Sequence, residues 1–154
     1  MTISRSLQRL WDEYNDYFEN DCKCEIYSKE KRKEALKSCL AYSKYKLIQH
    51  GNKHIGFVMW GDPLYPHKYQ FNYEITIFEA YIKPEYRNQG IMTQQISYIV
   101  NHPIFSKKRV CLFVLDQNKI ALSIWELLFK KLNFRCDGEI TRTTHGKWFG
   151  FSRD

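Results

Sequence analysis

The chain lacks the short motifs that would announce a function by themselves. No apolar run approaches the ~18 residues needed to cross a bilayer, so the sequence predicts a soluble protein with no membrane partner. The N-terminus has no basic stretch followed by an apolar core, so no export signal is expected. Five cysteines, at 22, 24, 39, 111 and 136, form an odd set without a C-x-x-C pair, which argues against a disulfide framework and offers no zinc spacing. Read as reduced thiols, they predict a cytoplasmic protein. His50, His54, His67, His102 and His145 are scattered without companions, so neither a metal site nor a histidine base is expected. Neither G-x-x-x-x-G-K-[ST] nor G-x-G-x-x-G occurs, which excludes the Walker and dinucleotide-binding loops. There is no repeat, no low-complexity tract and no Gly/Ser linker, so residues 1–154 are expected to form one domain.

What is present is charge and pattern. Lys+Arg minus Asp+Glu is 24 − 17 = +7, a balance that favours an anionic partner. The balance is uneven: residues 1–25 hold 3 basic and 6 acidic side chains, and residues 29–46 hold 7 and 2. Leu7, Leu10, Trp11, Tyr14 and Phe18 lie on one face of a first helix, capped by Ser4 or Thr2. A second helix is expected from Ser28, burying Ala35, Leu36, Cys39 and Leu40 and turning its lysines to water. The period then changes: a hairpin bends at Gly51-Asn52, and Gly61–Asn72 reads as a loop. Tyr73–Ile82 reads as a strand, and a helix follows from Ile91 to before Pro103. Arg109–Leu115 is an apolar run suited to a buried strand. The next helix puts Ala121, Ile124, Trp125, Leu128, Phe129 and Leu132 on one side, and strands Phe134–Thr143 and Lys147–Ser152 follow. This order predicts a mixed α/β sheet with a strand-helix-strand-helix unit at its middle.

The informative stretch is Ile82-Lys83-Pro84-Glu85-Tyr86-Arg87-Asn88-Gln89-Gly90-Ile91-Met92-Thr93. A strand ends at proline, passes through a polar turn with one glycine and enters an amphipathic helix. Unpaired amides and the macrodipole at such a helix start suit a phosphate, with Arg87 nearby as counter-charge and no Cβ at Gly90 to hold an anion away. An ordinary βα turn that binds nothing has the same appearance.

With IKPEYRNQGIM the sequence resembles the GCN5-related N-acetyltransferase family, whose signature is a strand ending in apolar-x-Pro-x-Tyr, then [Arg/Gln]-x-x-Gly-x-[Gly/Ala] and a helix. Arg87 and Gly90 fit; Met92 stands where Gly or Ala is usual. Downstream, Asn118-Lys-Ile-Ala121 matches the family's Asn-x-x-Ala, and the element order is similar from about residue 45 to 152. The resemblance implies the acyl-CoA N-acyltransferase fold: a mostly antiparallel sheet flanked by helices, with one parallel strand pair splayed around the cofactor. It implies acetyl-CoA as cosubstrate and no metal. The pantetheine would pair with the strand edge at Tyr81–Ile82, the diphosphate would sit on Arg87, Asn88, Gln89, Gly90, Ile91, Met92 and Thr93, and Asn118 would make a polar contact. Asn118 is equally suited to cap a helix.

The reaction implied is direct transfer of an acetyl group to a primary amine. The general base is expected to be a strand carboxylate, Glu79 or Glu74, with Glu79 nearer the thioester. Five positions separate them, so an unbroken strand points them to opposite faces and a bulge would change that. The family's proton-donating tyrosine is replaced by Trp125, or by Phe129 counted back from Phe134; either water or a tyrosine from elsewhere serves, or the chain binds the cofactor without much chemistry. A small-molecule or protein amine is expected to enter past the first helices, the 61–72 loop and the last hairpin, among Trp11, Tyr14, Tyr65, Tyr69, Phe71, Trp148 and Phe149. Asp12, Glu13, Asp16 and Glu19 could attract it, although acids early in a helix also serve its dipole. A nucleic-acid partner is not expected, since no RNP, helix-turn-helix or zinc pattern accompanies the basic balance. A homodimer is left open.

Overall fold

Helix α1 (Arg5–Asn20) follows the apolar periodicity, and Ser4 caps it by accepting from the Leu7 amide. Leu7, Leu10, Trp11 and Phe18 are buried along one stripe. The second helix begins later than Ser28: a single 3₁₀ turn at Lys29–Lys31 precedes α2 (Arg32–Tyr42). Leu36 and Cys39 are buried there, while Ala35 and Leu40 are half-buried. One member of the basic run is not on the wet face. Arg32 is buried and pairs with Asp16 at 2.8 Å and Glu19 at 3.2 Å. The Trp11 indole donates to the Arg32 carbonyl at 2.9 Å, which satisfies its only donor inside an apolar cluster and locks α1 against α2.

The computed structural model describes residues 2–64, 66–103 and 109–154. Its strands are β1 (Lys44–His50), β2 (Lys53–Gly61), β3 (Ile75–Ile82), β4 (Arg109–Leu115), β5 (Arg135–Arg142) and β6 (Gly146–Ser152), in the sheet order β1-β2-β3-β4-β6-β5. All neighbours are antiparallel except β3 and β4. The helices between them are α3 (His67–Gln70), α4 (Ile91–Val100) and α5 (Ala121–Lys131). The β1–β2 turn is at Gly51-Asn52, with Gly51 at φ +60°, as the hairpin reading required. The 61–72 segment is not wholly loop, because α3 forms within it.

The fold expected from the sequence, a mixed sheet with one splayed parallel pair, is the fold observed. β3 and β4 pair over Ile75–Ile77 and Val110–Leu112 only. Beyond that point each strand keeps its other neighbour, β2 or β6, and the two separate. Apolar clusters cover both faces. Ile75, Ile77, Val110 and Leu112 of the sheet pack with Ile96 and Ile99 of α4 and Phe129 of α5, while Phe57, Met59 and Tyr81 pack with Leu7 and Trp11 of α1 and Leu36 of α2.

A bulge in β3 changes which face its residues meet. Met59 pairs with Glu79 but Trp60 pairs with Ile77, so Phe78 is the extra residue. Ile75 and Ile77 face α4 and α5, whereas Phe78 and Tyr81 join the α1/α2 cluster. Without that insertion Glu79 would share the face of Ile75 and Ile77. With it, Glu79 turns toward α1.

Candidate functional site

The opening between β3 and β4 is the floor of a cleft of about 610 Å³. Its walls are α1 with residues 26–27, the start of α4, and α5. Beyond Ile77, β3 has no ladder partner on the β4 side, so an extended ligand can pair with that edge as an added strand would.

The strand leads into a 3₁₀ turn at Pro84–Tyr86 and then into two left-handed residues, Asn88 at φ +63° and Gly90 at φ +76°. Gly90 is the N-cap of α4 and no side chain caps the helix. The Gln94 amide, bonded to the Gly90 carbonyl at 3.0 Å, is the first to find an acceptor inside the helix. The amides of Ile91, Met92 and Thr93 are left directed outward. A Cβ on Gly90 would meet nothing within 4 Å, so the glycine is required by its backbone angle. Met92, the departure from the family pattern, packs its side chain among Ile48, Ile55 and Ile82, which leaves its amide at the helix start. This arrangement fits a diphosphate: unpaired donors, a helix dipole and space.

Tyr81, Ile82, Arg87, Asn88, Gly90, Ile91, Met92, Thr93 and Asn118 all line the cleft. Gln89 does not; its side-chain amide turns back to the Glu85 carbonyl at 3.3 Å in solvent. Arg87 lies across the floor of the cleft: its Nε donates to the Ile82 carbonyl at 2.8 Å, and its guanidinium is 5.4 Å from the Tyr17 ring centre and 5.6 Å from that of Tyr81.

The two carboxylates separate clearly. Glu79 lines the cleft and accepts a hydrogen bond from the Tyr14 hydroxyl. Burial pushes its pKa up to about 7, a rise that the Tyr14 bond partly opposes. Glu74 precedes β3, with its amide bonded to the Arg109 carbonyl at 2.9 Å, and does not line the cleft. The sheet register leaves Glu74 at the far end of the strand, where β3 and β4 are still paired, so of the two carboxylates expected as base Glu79 is the one at the cleft.

Trp125 lines the cleft and packs on the core, and Phe129 is fully buried, stacked on Phe151 at 4.4 Å. Neither carries a hydroxyl. Tyr17 of α1 lines the cleft and donates to Asn118 Oδ1 at 3.4 Å. Burial raises its pKa to about 12, so it stays protonated. Asn118 sits in the β4–α5 loop and does not cap α5 with its side chain.

The expected acceptor wall needs correction. The 61–72 loop and the last hairpin do not line the cleft among the described residues, and Tyr65 lies outside them. Trp11 is core, Tyr69 is exposed, and Trp148 packs at a tilt against His67, with ring centres 4.3 Å apart. Of the aromatic residues expected there, only Tyr14 lines the cleft; Tyr17, Phe18, Ile26, Tyr27 and Phe78 join it. The α1 acids are engaged elsewhere: Asp16 and Glu19 with Arg32, and Glu13 with Lys83 at 3.3 Å. Ile124, expected on the buried side of its helix, is exposed with Ile120 and Leu127 along the cleft mouth. Tyr17 and Tyr27 escaped sequence reasoning because their partners come from other elements. The one available signal was Tyr17 lying a turn beyond Tyr14, beside the apolar stripe. No group of three or more metal-ligating side chains occurs among the described residues.

No family model matches the chain, and no curated protein matches it in sequence. Solved structures do match. An acetyltransferase from Thermus thermophilus is 16% identical, over 94% of this chain and 87% of that one, with a TM-score of 0.66. A spermidine N-acetyltransferase from Vibrio cholerae, solved in complex with CoA and spermine, is 13% identical over 98% and 91%, with a TM-score of 0.60. A GNAT-family acetyltransferase from Bacillus cereus is 13% identical over 100% and 94%, with a TM-score of 0.59.

Proposed function

From the GCN5-related N-acetyltransferase fold that these likenesses show, we propose that the protein transfers an acetyl group from acetyl-CoA to a primary amine. The observation that carries this reading is the conjunction of three features in one cleft. They are the unpaired edge of β3, the outward amides of Ile91–Thr93, and a carboxylate whose pKa lies near 7. A neutral-range carboxylate is suited to taking a proton from an ammonium group at ordinary pH. The structural neighbours include enzymes acting on amines.

In this reading acetyl-CoA supplies the acyl group as a thioester. An N–C bond forms, the C–S bond breaks, and coenzyme A leaves as the thiol. Glu79 accepts the amine's proton, directly or through water, and Tyr14 holds the carboxylate in place. The amides at the start of α4, with the dipole behind them, hold the diphosphate. The exposed edge at Tyr81–Ile82 offers the main-chain partners for an extended arm, once Arg87 releases the Ile82 carbonyl. Tyr17, hydrogen-bonded to Asn118, presents the hydroxyl that α5 does not provide and donates to the leaving sulfur. Positioning supplies much of the acceleration in such a site.

The test is calorimetry with acetyl-CoA followed by thiol release with amines. Saturable binding and amine-dependent thiol release are expected, and Tyr17→Phe should lower kcat about tenfold while changing the acetyl-CoA Kd less than about twofold. Absence of binding overturns the reading. Binding without thiol release favours an acyl-CoA-binding module, the alternative that Trp125 and Phe129 raise by standing where a tyrosine is usual.

A further inference from the structure

We propose that the acceptor is a primary monoamine on an aromatic carrier, and not a polyamine or a peptide terminus. This inference rests on the acetyltransferase reading and sharpens it. Tyr14, Phe18, Ile26, Tyr27 and Phe78 line the cleft together with Glu79, and the Tyr14 hydroxyl donates to the Glu79 carboxylate. Tyr14 and Phe18 meet edge to face at 4.7 Å, Tyr27 lies against Trp11 at 6.1 Å, and Phe78 packs against Tyr42 at 5.0 Å. The rings are therefore held by their neighbours before any ligand arrives, so little ordering cost remains on binding.

Charge decides how many ammonium groups the site can take. Among the described residues that line the cleft, Glu79 is the only acid, and Arg87 and Lys131 are cations. The acids that α1 could have contributed are paired: Glu13 with Lys83, and Asp16 and Glu19 with Arg32. Asp12 lies in a separate groove between α1 and α2, beside Arg5 and Arg9. One ammonium group meets a carboxylate and ring faces, both of which attract a cation. A second ammonium group on the same molecule finds no second carboxylate among the described lining residues and is repelled by Arg87 or Lys131.

The carrier follows from the same wall. A peptide brings an amide at every residue, each needing a partner once buried; Phe18, Ile26 and Phe78 have no side-chain polar atoms, and of the two tyrosine hydroxyls in this wall that of Tyr14 is given to Glu79. An aromatic body needs none, and its offset or edge-on packing with fixed rings adds to the area it buries.

The experiment uses the full chain with acetyl-CoA and three probes: 2-phenylethylamine, spermidine and a tripeptide with a free N-terminal alanine. Thiol release should give kcat/KM for 2-phenylethylamine at least about tenfold above either other probe. Ile26→Glu, at a partly exposed position of the wall, adds a second carboxylate. It should raise the spermidine to 2-phenylethylamine ratio about tenfold and leave the acetyl-CoA Kd within about twofold. Tyr27→Leu should raise KM for 2-phenylethylamine with a smaller change in kcat. Spermidine or the tripeptide turned over as well as the aromatic amine overturns the inference while leaving the acetyltransferase reading intact. If the protein binds acetyl-CoA and releases no thiol, calorimetry of the same probes on the CoA-saturated protein decides: preference for 2-phenylethylamine supports the inference, and its absence overturns it. Failure to bind acetyl-CoA overturns both.

Discussion

Replacing Glu79 by glutamine tests the environment and the role of this carboxylate with one substitution. Moving a carboxyl group from 4.5 to about 7 makes the folded protein disfavour the charged form by about 3 kcal/mol, at 1.36 kcal/mol for each factor of ten in acidity. The folded state therefore binds more protons than the unfolded state between those two values. The stabilising contribution of the protonated group is fully present below about 4.5 and is lost as pH rises through about 7. At pH 8.5 the wild type carries a charge that burial opposes, and the Glu79→Gln variant carries none. Part of the gain is returned, because a hydrogen bond from Tyr14 to a neutral amide is weaker than one to a carboxylate. The net expectation is about 1–2 kcal/mol of added stability at pH 8.5, or roughly 2–8 °C in Tm for a chain of this size, falling toward zero near pH 5. Thermal unfolding of both proteins across that range is the assay. In parallel, kcat/KM with a reactive amine should fall by about 10²-fold, the lower range for a positioned base. A Tm difference that is independent of pH would refute the buried-carboxylate argument, and unchanged turnover would place the base elsewhere.

Two further expectations concern other parts of the molecule. Gly90→Ala forces a side chain into φ +76°, so it should cost about 1 kcal/mol of stability and raise the acetyl-CoA Kd several-fold, measured by denaturant unfolding and calorimetry. Burial of His67 against Trp148 lowers its pKa, partly opposed by its bond to the Leu64 carbonyl. The unfolded chain therefore binds more protons there, and the stability this residue contributes is complete above about pH 6.5 and is lost as pH falls below it. In His67→Phe the Tm should vary less between pH 7 and pH 5 than in the wild type.

Whatever depends on near neighbours along the chain was legible before any packing was known. The apolar spacing of α1, the glycine turn of the β1–β2 hairpin, the continuous apolar run of β4 and the proline-to-glycine passage into α4 each depend on residues a few positions apart. Each appears within a few residues of where the pattern puts it. Gly90 belongs to this group, because its φ angle is a property of one turn.

The remainder emerged with the packed sheet and helices, for one reason: the partners are far apart along the chain. The side of β3 that carries Glu79 depends on the extra residue at Phe78, and that is set by pairing with β2. The strand sequence ITIFEAYI contains nothing that marks the offset. The Tyr17 hydroxyl meets Asn118, which lies 101 positions further along the chain. Glu13, Asp16 and Glu19 of α1 look available in the sequence and are consumed by Lys83 and Arg32 once the helices and strands pack. Periodicity shows which residues a segment buries; only long-range packing shows which charges remain to act.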